Sequence, residues 1–118
     1  MYSPQVLDHF EHPRNTGELD HPDASAQVEN PACGDVLKLT LRISQNQITE
    51  ARFQAKGCVP AMACGSLITE LIESKNVAHA QNMTAQDLIA AAGGLPPASG
   101  HAAQLAIDTL RKALSSIR

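Results

Sequence analysis

Leu37-Lys38-Leu39-Thr40-Leu41-Arg42-Ile43, then Ser44-Gln45-Asn46-Gln47, then Ile48-Thr49-Glu50-Ala51-Arg52-Phe53-Gln54-Ala55 is the stretch that decides the fold. In the first run, leucine and isoleucine alternate with lysine, threonine and arginine, the period of two expected of a strand with one dry and one wet face. In the last, Ala51, Phe53 and Ala55 stand opposite Glu50, Arg52 and Gln54. The four polar residues between them read as a turn, so the two runs predict an antiparallel hairpin centred between Gln45 and Asn46.

Working outward, Ala26 and Val28 alternate with Gln27 and Glu29 and predict a further strand, set off by the turn formers between Asn15 and Pro22. Ser3-Pro4 followed by Val6, Leu7 and Phe10 predicts a short opening helix that stops near His12-Pro13. Beyond Pro60, the three- and four-residue spacing of Cys64, Leu67, Ile68, Leu71 and Ile72 predicts an amphipathic helix to about Lys75. A short helix is expected after Asn76. Another is expected to open on the capping-box-like Thr84-Ala85-Gln86-Asp87. Gly93-Gly94-Leu95-Pro96-Pro97 must be a break, and an Ala- and Leu-rich helix from about His101 to Ile117 closes the chain.

With 118 residues, 43% of them hydrophobic, the chain is expected to form one domain over 1–118. A net charge of -3 and 3% aromatic residues argue against nucleic acid and anionic lipid as partners. The N-terminus has no cationic stretch leading into an apolar one, and no apolar run has the length of a membrane span, so the cytoplasm is the expected compartment. Three cysteines suit free thiols or metal ligands better than a disulfide framework.

The hairpin also carries the chemistry. Pairing about Gln45-Asn46 matches residues whose numbers add to about 91, as those of Cys33 and Cys58 do. The two cysteines should therefore leave the same end of the sheet, with Asp35 one strand step from Cys33. Cys58 follows Gly57 at a helix entry, where unpaired N–H groups favour a thiolate. His101 lies near the start of the last helix. Thiolates with imidazole suit zinc or an iron-sulfur cluster, and a carboxylate can complete either set. Cys33, Asp35 and Cys58 are thus candidate metal ligands, and His101 is a fourth donor of suitable type whose distance from them the spacing does not fix. Cys64 shares a stripe with Leu67, Ile68 and Leu71 and reads as core. His9, His12, His21 and His79 read as surface or packing residues. No phosphate-cradling glycine loop or serine nucleophile motif is present, so an enzyme is not expected.

Four phrases in order resemble the scaffold family of iron-sulfur cluster assembly, the IscU type also found as the N-terminal domain of NifU. They are Asp8-His9-Phe10-Glu11-His12-Pro13-Arg14-Asn15-Thr16-Gly17, Pro31-Ala32-Cys33-Gly34-Asp35, Ala51-Arg52-Phe53 through Lys56-Gly57-Cys58, and Leu95-Pro96-Pro97 with His101. The resemblance implies an α+β fold, a three-stranded antiparallel sheet with helices packed on one face. It also implies a role in which sulfur comes from a cysteine desulfurase and a [2Fe-2S] cluster passes to carriers or apo-proteins. The ligands it implies are Cys33, Asp35, Cys58 and His101. Two departures matter. The family's third cysteine directly follows the histidine, where this chain has Ala102, which removes the usual sulfur acceptor. The lysine that follows the family's Leu-Pro-Pro phrase, a chaperone-binding feature, is absent from Leu95-Pro96-Pro97-Ala98-Ser99, so the resemblance to a partner of Hsp70-type chaperones covers only part of that phrase.

Two functions from different classes follow. One is a scaffold or carrier for a [2Fe-2S] cluster or its iron, favoured by the retained Asp35. The other is a divergent paralogue holding mononuclear zinc or iron as a structural or regulatory module that modulates a cysteine desulfurase, favoured by Ala102.

Overall fold

The computed structural model describes residues 2–117. Its elements run α1 (Pro4–Glu11), β1 (Ala24–Glu29), β2 (Val36–Ser44), β3 (Gln47–Lys56), α2 (Val59–Ile72), α3 (Val77–Gln81), α4 (Ala85–Ala91), a 3-10 turn (Pro97–Ser99) and α5 (Gly100–Ser115). The strands form an antiparallel sheet in the order β1-β2-β3.

Local chemistry accounts for most boundaries. The Ser3 hydroxyl accepts the Val6 N–H at the head of α1, Asn76 caps α3 through the His79 N–H, and Thr84 with Asp87 forms a reciprocal capping box on α4. The expected α2 ends earlier, at Ile72, because Ser74 takes a left-handed φ of 72° and donates its N–H to the Ile48 carbonyl, tying the chain to β3. Ile117 lies past the end of α5.

The sheet carries α2 and α5 on the face lined by Leu37, Leu39, Leu41 and Phe53, all nearly inaccessible. Burying a leucine or phenylalanine of this kind stabilises by about 1.5–3 kcal/mol. Gly65 of α2 presses so closely on Phe53 and Leu37 that a β-carbon there would overlap them, which explains a helix-weakening glycine in mid-helix. The opposite face is dressed by the α1–β1 connection. Leu19 donates its N–H to the Thr40 hydroxyl, Glu18 meets Lys38 at 2.8 Å, and Asn15 and Gly17 bond the backbone of Phe53 along the free edge of β3. That cover buries Thr40 on what the alternation marks as the wet side.

The hairpin register differs from the expected one by a residue. Near the turn, Ser44 pairs Gln47 and Ile43 pairs Ile48, adding to 91. A bulge between Arg42 and Ile43 then shifts every later pair to 92, ending at Val36 with Lys56. Thr49 is the extra residue, and its hydroxyl donates to the Arg42 carbonyl. Continued one step, that register sets Asp35, rather than Gly34, opposite Gly57.

Candidate functional site

Three junctions meet at the end of the sheet remote from the β2–β3 turn. The first is the loop between β1 and β2. Asn30 donates its N–H to the Asp35 carbonyl and accepts the Gly34 N–H, while its side chain accepts the Ala32 N–H, so residues 30–35 form a closed loop. Gly34 turns it at a φ of 77°. Cys33 is exposed near the tip of this loop, and Asp35 is buried at its return.

The second junction joins β3 to α2. Gly57 makes the corner at a φ of 147°, and Cys58, half-buried, is the N-cap residue of α2. Its thiol donates to Asp35 Oδ2 at 3.1 Å. The third is the start of α5, where the double proline leads into the 3-10 turn. The Ala98 carbonyl of that turn lies 3.0 Å from His101 Nδ1. A carbonyl only accepts, so Nδ1 is the donor, and in the neutral ring Nε2 carries the lone pair that a metal would take. Nε2 faces Asp35 Oδ2 at 3.7 Å and Cys58 Sγ at 4.0 Å.

Sequence reasoning selected four side chains, and the fold brings them together. Donor atoms of Cys33, Asp35 and His101 all lie within 4.8 Å of one another, with Cys58 bonded to the same carboxylate. Cys33 and Cys58 leave the same end of the sheet despite the register shift. Two residues of the site carry no such signal in spacing: Ala98, whose carbonyl orients the imidazole, and Gly57, where a β-carbon would overlap the Asp35 carboxyl. The first carries no sequence signal; the second was visible only as a glycine before a cysteine.

Burial works against ionisation of Asp35. Hydrogen bonds from the thiols of Cys58 and Cys33, a backbone N–H of Cys58 and the nearby imidazole nevertheless hold its carboxyl below the usual range. The same contact acts oppositely on Cys58. Burial, followed by the hydrogen bond to Asp35, pushes its thiol up, outweighing the backbone N–H groups of Ala61 and Cys58. The easy thiolate expected at the helix entry is therefore corrected: burial, with the carboxylate beside it, favours the protonated thiol.

Cys64 is 1% exposed within the core, and burial pushes its thiol up to about 12. Ala102 is likewise buried, so the position after His101 packs inward. His12, His21 and His79 are exposed. His9 is buried, its Nδ1 2.8 Å from Ser66 Oγ. Among the described residues, no helix is long and apolar enough to cross a membrane.

Comparison with known proteins gives one consistent result. The family described as the NifU-like N terminal domain matches residues 1–118. The chain is 40% identical over 121 aligned positions to the iron-sulfur cluster assembly scaffold protein IscU of Escherichia coli K12, covering 99% of this chain and 94% of that protein. It is 39% identical over 114 residues to iron-sulfur cluster assembly scaffold protein IscU 1 of Archaeoglobus fulgidus, covering 97% and 74%. Among solved structures, the N-terminal NifU-like protein of Brucella abortus superposes with a TM-score of 0.77 at 18% identity, covering 98% of this chain and 92% of that one, a likeness of fold.

Proposed function

Because this chain belongs to the NifU-like N terminal domain family, we propose that it is an iron-sulfur cluster assembly scaffold or carrier, holding a nascent cluster as cargo rather than turning over a substrate. The observation that carries this reading is the convergence of two thiols, a carboxylate and a free imidazole nitrogen at one end of the sheet. We assign Cys33, Asp35, Cys58 and His101 as the groups that hold iron or a [2Fe-2S] cluster.

The geometry suggests an order of events. Exposed Cys33 meets the incoming cation first. Cys58 becomes a ligand when a bound cation drives its proton off to solvent, which also releases Asp35 Oδ2, 3.1 Å away, from the thiol's hydrogen bond. His101 is held with Nδ1 toward the Ala98 carbonyl, which turns Nε2 toward the other donors. A carboxylate is a harder ligand than thiolate and holds iron-sulfur iron less firmly, which suits cargo that must leave. The proposed sulfur source is a cysteine desulfurase and the proposed recipients are apo-proteins or carriers, all in the cytoplasm; an Hsp70-type chaperone fits less well, given the missing lysine.

Anaerobic reconstitution of the chain with ferrous iron and sulfide tests the reading. Equal iron and labile sulfide, lost in Cys58→Ala, is the expected result. The second reading, a mononuclear zinc or iron module, draws on Ala102, which is buried and offers no donor. Tight metal without sulfide would select it.

A further inference from the structure

We propose that Gly57 is a positioning residue of the site: the space left by its missing β-carbon is the seat of the Asp35 carboxylate, and that seat holds the carboxylate between the Cys58 thiol and the His101 imidazole. The inference rests on the assignment of the four ligands and goes beyond it, since Gly57 has no side chain to offer a metal.

Three observations carry it. A β-carbon built on Gly57 would overlap Asp35 Oδ1 and lie 2.5 Å from Cγ and 3.0 Å from Cβ. Real β-carbons do not approach side chains so closely, and the atoms in the way are the carboxyl group itself. Asp35 has little room to yield, because its backbone carbonyl accepts the Asn30 N–H while Oδ2 accepts the Cys58 thiol. Finally, the seat exists because of the Thr49 bulge. In the register near the turn, Gly57 would stand opposite Gly34; the shift of one places Asp35 there instead. A feature far along the hairpin thus decides which residue sits over the glycine. Any L-side chain at 57 must drive the carboxylate out of the space between the thiol and the imidazole, leaving the donor set as if Asp35 were absent.

Gly57 also has a φ of 147°, which L-residues rarely adopt, so Gly57→Ala strains the backbone whatever Asp35 does. The test must separate these effects, and a double variant does so. Asp35→Ala removes the overlapping carboxyl and leaves the backbone strain in place. Cobalt(II) is titrated anaerobically into the metal-free full chain, following thiolate-to-cobalt charge transfer and the ligand-field bands, for wild type, Asp35→Ala, Gly57→Ala and the double variant. The expected result is that both single variants keep the thiolate band, share one altered ligand-field spectrum and weaken binding alike, by at least the roughly 10–100-fold that loss of an outer partner costs. The double variant should bind no worse than either.

Wild-type binding by Gly57→Ala, or losses that multiply in the double variant, would overturn the inference. Should Gly57→Ala fail to fold, recovery of folding in the double variant supports it, and failure of both assigns Gly57 to the backbone alone. If wild type binds no cobalt, the ligand assignment fails separately. The NMR spectra of the metal-free proteins then decide: His101 and Cys58 resonances displaced in Gly57→Ala as in Asp35→Ala support the seat, and undisplaced ones reject it.

Discussion

His9 and His101 are both helix residues with a hydrogen bond on Nδ1, yet one is built into the protein and the other is presented by it. His9, 6% exposed, pins α1 to α2: Nδ1 lies 2.8 Å from Ser66 Oγ, which also accepts the Arg14 N–H, and Nε2 faces Glu70 at 3.6 Å. Nδ1 is bonded in the buried seam, and Nε2 has only the half-exposed Glu70 carboxylate beside it. At the other end, His101 is exposed, its Nδ1 satisfied by a carbonyl of its own turn, and its Nε2 points at a thiol and a carboxylate. Residue type is the same; what differs is burial and what Nε2 faces. A histidine buried in a helix seam supports structure, and one exposed with a nitrogen turned toward acidic and sulfur donors can serve a metal.

That contrast is breakable. The largest effect is expected at His101→Ala, which should weaken zinc, measured by competition with a chelator, by at least the roughly 10–100-fold that loss of an outer partner costs. Its urea midpoint should stay close to that of wild type. His9→Ala should do the reverse. It strips a buried partner from Ser66 and should lower unfolding free energy by about 1–3 kcal/mol in a urea titration, with zinc affinity unchanged. Equal damage to binding and stability from either variant would erase the distinction.

Acid sharpens it further. Burial, then the Arg14 charge, holds His9 below its ordinary value of 6.5, against the weaker pull of Glu70 and Asp8. A group depressed in the folded state stabilises fully above its unfolded pKa and loses that contribution as pH falls through the folded one. Metal-free wild type should therefore lose stability as pH falls below about 6.5, before the carboxylates titrate. The slope should flatten in His9→Gln and persist in His101→Gln, read from urea midpoints between pH 7.5 and 5. The smallest effect is expected from Glu70→Gln. That carboxylate is half exposed, and its loss should cost under about 1 kcal/mol at neutral pH while steepening the acid slope.

Alternation in Leu37–Ile43 and Ile48–Ala55, the caps at Ser3, Asn76 and Thr84 and the double-glycine, double-proline break were enough to read the sheet and helices, since each is a local preference written in a few residues. Cys33, Cys58 and Asp35 were legible as neighbours because a hairpin fixes its own ends. His101 was legible as a ligand only through resemblance, since no spacing argument relates the start of α5 to the sheet. Tertiary structure alone decided the rest. The bulge at Thr49 put Asp35 over Gly57, the turn at Ala98 oriented the imidazole, and burial, with the carboxylate beside Cys58, reversed the effect of the helix entry on its thiol. Each of these depends on which atoms from distant segments share a few ångströms, and local sequence preference does not encode such distances.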